Sequence, residues 1–79
     1  MFAVIAKSPL DRDWEYRDSL IYKAAGRRSD LSVASKEGRE HTWYVHSADD
    51  AVAMKDRLNK VDDVDATWRE PLAGEVGRG

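Results

Sequence analysis

The sequence predicts one α+β domain of order β-α-β-β-α-β, and three observations predict it. Residues 2–6 are a brief apolar run rich in strand formers, ended by Lys7, Ser8 and Pro9. Two stretches, after Ser8 and after Ser47, combine a serine cap with apolar residues at helical spacing. Residues 31–35, 41–46 and 64–69 alternate side-chain character, as half-buried strands do.

The run over residues 2–6 lacks alternation, which predicts a strand buried on both faces and therefore central in a sheet. Ser8 as cap, Pro9 at the first helical position and Asp11 three residues after the serine predict a helix start. Leu10, Trp14, Ile21, Ala24 and Ala25 then share one helical face, with Arg12, Glu15, Asp18 and Tyr22 placed off it, and Gly26 is the stop. A later start capped by Ser19 competes with this reading. So does a strand through Trp14 and Tyr16, which would add to the sheet.

Residues 31–35 and 41–46 form a hairpin about residues 36–40, where Gly38 is free to take positive φ. In the second hairpin strand Trp43 and Val45 point one way, and Thr42, Tyr44 and His46 the other. Ser47 with Asp50 repeats the cap signature, and Ala48, Ala51, Met54, Leu58 and Val61 form the second apolar stripe. Asp49 and Asp50 suit the positive end of this helix, Arg57 and Lys60 its negative end. Asp62-Asp63 breaks the chain before Val64, Ala66 and Trp68, which alternate with Asp65, Thr67 and Arg69. Pro71 closes a domain over residues 1–71, leaving residues 72–79 as a flexible tail.

This order is the split βαβ, or ferredoxin-like, plan: a four-stranded antiparallel sheet with both helices on one face and the first and third strands central. Trp43, Val45, Val64, Ala66 and Trp68 are expected to face the helices. The opposite face stays open. Tyr44 projects from it, flanked by Thr42, His46, Thr67 and Arg69, with Phe2 and Val4 as neighbours on the first strand.

Composition narrows the function. A 79-residue chain is one domain, and at this size only about 60% of the unfolded surface is buried, so the stability margin is thin. The chain has no cysteine, which rules out disulfides, thiolate metal sites and a cysteine nucleophile. Its 13 basic and 15 acidic residues give a net charge of −2, against the basic excess of a duplex-DNA binder. No basic segment precedes the N-terminal apolar run, which is also too short to span a bilayer, so the expected location is the cytoplasm.

No chemistry-bearing constellation emerges. His41 and His46, the two histidines, leave opposite faces of one strand and are expected to be partly exposed, and no third metal ligand stands at a suitable spacing. Ser47 beside His46 is better used as a cap than as a nucleophile, and no glycine-rich phosphate cradle is present. The expectation is therefore a chain without catalytic residues, metal or cofactor. Asp56, Asp62, Asp63 and Asp65 could mimic nucleic-acid phosphates, but Asp56 can pair with Lys60 and Asp62-Asp63 is ordinary turn chemistry. A basic group, Arg27, Arg28, Lys36 and Arg39, lies near the hairpin and could meet an acidic partner.

Ala24-Ala25-Gly26-Arg27-Arg28-Ser29-Asp30, together with Trp43-Tyr44-Val45, an Asp-Ala helix start and Ala66-Thr67-Trp68-Arg69-Glu70, resembles short orphan proteins encoded by phages of high-GC actinobacteria. The resemblance spans most of the chain and carries no catalytic residues. It implies a small protein that binds and redirects a host enzyme or defence complex. The expected function is thus a protein-binding module that modulates or inhibits a host bacterial protein through Tyr44, His46, Thr67, Arg69, Arg27 and Arg28. A homodimer sealing two open faces is the simplest further use of that surface. The alternatives are a single-stranded nucleic-acid binder using Tyr44, a nucleic-acid mimic, and an enzyme of the dimeric α+β-barrel type.

Overall fold

Strands β1 (Phe2–Ser8), β2 (Leu31–Ser35), β3 (Gly38–Val45) and β4 (Asp65–Arg69) form one antiparallel sheet in the order β2-β3-β1-β4. Helices α1 (Trp14–Ala25) and α2 (Ala48–Leu58) lie on one face of it, so the order is β-α-β-β-α-β, as the sequence predicts. The computed structural model describes residues 1–70. The expected end at Pro71 and the expected tail over residues 72–79 lie outside the described residues. Among the described residues no helix is long and apolar enough to cross a membrane.

β1 is central because it can be buried on both faces: Ala3, Val4 and Ala6 are all fully buried. It runs to Ser8, two residues beyond the apolar stretch, since Lys7 and Ser8 continue the ladder opposite Glu40 and Arg39 of β3. Val4 and Ala6 meet Trp43 and Val45 of β3 and Ala66 of β4, and this layer packs on Ile21 and Ala25 of α1 and on Ala51, Met54 and Leu58 of α2. Each fully buried Leu, Ile or Met contributes about 1.5–3 kcal/mol. Val4 therefore belongs to the core, and Phe2 packs against that core, rather than either lining the open face. Strand parity decides this, because Val4 is the register partner of Trp43. Trp68, opposite Val4 on β4, has the expected parity but is 37% exposed. It sits near the end of an edge strand, edge-on to Phe2 with ring centroids 5.8 Å apart, and closes the rim of the core.

The first helix begins later than its Ser8-Pro9 signature suggests. Ser8 is held in β1, Leu10 is exposed, and α1 starts at Trp14 after a turn in which the Trp14 N–H donates to the Asp11 carbonyl. Arg17 fixes that turn, donating to the Pro9 carbonyl and, bidentately, to the Asp11 carboxylate at 2.9 and 3.0 Å. Ser19 is not a cap either; its hydroxyl donates to the Tyr16 carbonyl within the helix. Gly26 ends α1 as expected, with φ 89° and its N–H on the Tyr22 carbonyl.

Ser47 caps α2, its hydroxyl accepting from the Asp50 N–H at 3.1 Å. The helix ends at Leu58, and Val61 follows outside it while still packing on the core. Asp63 turns the chain toward β4 with φ 66°. Asp56 pairs with Lys55, not with Lys60. Arg57 reaches across to α1, where its guanidinium donates to the Ala24 carbonyl at 2.8 Å, a cation at the negative end of the neighbouring helix.

Gly38 opens β3 with φ 133°, and a Cβ there would run into the backbone carbonyl of Ser8. Both the conformation and the close approach of β1 demand glycine. Gly38→Ala is expected to lower stability by about 2–3 kcal/mol, read as a fall in the urea midpoint with an unchanged slope. A midpoint within error of wild type would show that the hairpin relaxes freely.

Candidate functional site

Two arrangements stand out from the sequence upward: a buried ionic network under β3, and the sheet face that neither helix covers.

The network joins α1 to β3. Trp14, Arg17, Asp18, Ile21, Tyr22 and Ala25 recur at helical spacing, and the inward stripe therefore includes two charged residues. Asp18, placed off the apolar face by its charge alone, is buried. Its carboxylate takes Arg39 at 2.6 Å and His41 Nε2 at 3.0 Å. His41 is fully buried rather than partly exposed, because the alternation that turns Trp43 inward turns His41 inward as well. A carboxylate oxygen accepts, so Nε2 carries the proton toward Asp18 and Nδ1 faces the Tyr22 and Ser29 hydroxyls, each at 3.4 Å. The Arg39 guanidinium also lies over the Trp14 ring, 4.7 Å from its centroid.

Asp18, His41 and Ser29 form a carboxylate–imidazole–hydroxyl series, the set of groups that acyl transfer uses. The hydroxyl contact is long for a hydrogen bond, and the imidazole has no exposure to a substrate. Shallow depressions of ≈ 210, 350 and 220 Å³ lie on the surface of the described residues; Arg39 lines the first, and neither Asp18 nor His41 lines any of these three. The largest, between α1 and the segment after α2, is lined by Leu20, Ala24 and Val61 with Lys23, Lys60 and Asp62. Among the described residues no three His, Asp or Glu side chains are grouped to hold a metal ion.

The register lays out the open face in rows. One row is Tyr44, Ala3 and Arg69; the next is Leu31, Thr42, Ile5 and Thr67; the third is Val33, Glu40, Lys7 and Asp65. Tyr44, Thr67 and Arg69 thus stand on this face as the alternation predicts, with Ala3 and Ile5 supplying the first strand's contribution. Leu31 and Val33 are 52% and 50% exposed, and all five residues of β2 are exposed. His46 follows the last residue of β3 and is exposed beyond the ladder.

Arg27 and Arg28, the basic pair before β2, have intramolecular partners. β2 begins only at Leu31, opposite Thr42, which would strip Tyr44 of a ladder partner. Asp30 and Arg27 replace it: the Tyr44 N–H donates to the Asp30 carboxylate at 2.8 Å, and Arg27 donates to the Tyr44 carbonyl and to Asp30. Arg28 lies over the Tyr22 ring at 5.9 Å. On the outer edge of β4, Ala66 is satisfied in a similar way by the Asn59 side-chain amide, which donates to its carbonyl at 3.0 Å and accepts from its N–H at 2.8 Å.

Two carboxylates in these clamps are shifted. Burial works against the charge on Asp30, but the Arg27 hydrogen bond and the Tyr44 N–H outweigh it and hold the pKa below the ordinary 3.8. Asp11 is held low chiefly by its hydrogen bonds from Arg17. A carboxylate depressed in the folded state stabilises that state fully above its unfolded pKa and loses the contribution as pH falls through the folded one. The urea midpoint is therefore expected to drop as pH is taken from about 5 to about 2, and Asp30→Asn to make that decline shallower. An equally steep decline in the variant would show that the clamp does not couple to protons.

The architecture is that of a two-layer split-βαβ domain with a polar network in its helix–sheet interface and one sheet face that neither helix covers. No protein-family model, curated protein or solved structure significantly matches the chain.

Proposed function

We propose that the chain is a non-catalytic protein-binding module that uses its open sheet face as the contact surface. The observation that carries this reading is the band of Leu31, Val33, Ile5 and Tyr44, flanked by Thr67 and Arg69, on the face away from both helices, where Leu31 and Val33 are half exposed. Tyrosine and arginine beside aliphatic side chains are the residues that carry binding energy in protein interfaces. The buried Asp18–His41 pair supports the same reading, since the two groups are spent on each other and on Arg39 inside the fold, and neither lines a surface depression. The resemblance to short phage proteins makes a bacterial host protein the partner, and the mechanism is occupancy of that protein's surface.

The test is affinity capture from an actinobacterial host lysate with wild type, Tyr44→Ala and Thr67→Arg. A partner retained by wild type and lost with both variants, while circular dichroism shows both folded, is the expected result. Equal retention by both folded variants would overturn the assignment of the face. A gel shift with single-stranded RNA or DNA at low salt would move the function to nucleic acid, with Tyr44 as a stacking platform.

A further inference from the structure

The sheet has two edges, and among the described residues a side chain bonds the backbone of one of them. Asn59 takes Ala66 on the outer edge of β4, and Arg27 with Asp30 occupies the stretch of β3 that β2 leaves uncovered. Among the described residues no side chain or backbone group bonds to the outer edge of β2, and Leu31–Ser35 contains no proline, lysine or bulge to blunt it. We propose that this edge pairs antiparallel with β2 of a second copy, giving a continuous eight-stranded sheet with all four helices on one side.

The exposed aliphatic side chains of β2 select the register. Centring the two-fold on Val33 places Val33 opposite itself and Leu31 opposite Ser35 of the other copy, with Leu31 diagonal to Val33. Opposed residues share parity in this register, so both copies present the same face, and the exposed Leu31 and Val33 of one copy meet those of the other along the seam. On the helix side β2 is exposed too, which leaves room for the second copy beside α1. Pairing at the edge keeps both open faces in water, unlike a dimer that seals them against each other. The inference does not rest on the binding role of those faces.

Sedimentation equilibrium of the full chain is expected to give a concentration-dependent rise from the 9.0 kDa monomer to twice that mass. Val33→Lys places like charges opposite each other at the seam. It is expected to weaken association by about tenfold or more with the fold unchanged by circular dichroism. The chain has no native cysteine, so Val33→Cys should oxidise to a covalent dimer, because directly opposed strand positions lie within disulfide reach. Thr67→Cys, on β4, should not. A chain that stays monomeric to about 1 mM, a dimer indifferent to Val33→Lys, or equal cross-linking at residues 33 and 67 would overturn the proposal. None of these outcomes bears on partner capture, so the two readings fail separately.

Discussion

Asp18→Ala is expected to destabilise the fold by about 3–5 kcal/mol, because it strands the Arg39 guanidinium and the fully buried His41 without their shared carboxylate. At roughly 0.05–0.15 kcal/mol per residue, a domain this size has a total of about 4–12 kcal/mol, so the loss reaches a large part of it. The measurement is urea denaturation followed by tryptophan fluorescence. Replacing all three members by apolar residues of similar size, Asp18→Leu with Arg39→Met and His41→Phe, should restore most of the stability, since the penalty lies in the unpaired charge. A triple variant as unstable as Asp18→Ala would mean that the geometry of the network itself, and not its charge balance, holds α1 to β3.

Trp43→Ala is expected to cost a similar amount, about 3–5 kcal/mol. Trp43 is the largest fully buried side chain and lies where both central strands meet the helix layer. Its indole N–H also donates to the Arg27 carbonyl at 3.1 Å. Removing the ring therefore empties the core and frees the segment that orients Arg27 onto Tyr44. The expected result at room temperature is a population with retained far-ultraviolet circular dichroism, weak near-ultraviolet signal and dye binding, or outright unfolding. A cooperative transition within about 1 kcal/mol of wild type would show that the site collapses around the cavity.

Much of the architecture was legible because it follows from periodicity. The apolar run of β1, the alternation of β2 to β4, the Ser47 cap and the glycines at 26 and 38 each have a local physical cause. The start of α1 does not, because it is settled by contacts distant in sequence. Ser8 has a good helix-cap signature, yet its pairing with Arg39 keeps it in the strand, and Arg17 ties down the turn that follows. The buried network was missed for a related reason. Charge set Asp18 outside the apolar stripe, although its spacing from Trp14, Ile21 and Ala25 places it inside. Reading spacing before polarity would have found it, and the parity of His41 with Trp43 would have supplied its partner. Of the surface residues, Tyr44, Thr67 and Arg69 follow from strand alternation. Arg27 has a role in the Tyr44 clamp that only the abrupt end of β2 makes visible.

The Asn59 amide on Ala66 has a consequence for how copies of this chain can accumulate. Open-ended growth of a sheet needs two adhesive borders on every unit, and this side chain occupies the backbone of Ala66 on one of them. It thereby opposes addition of a further strand at that border, and with it fibre formation. Asn59→Ala would bare Ala66 and favour propagation.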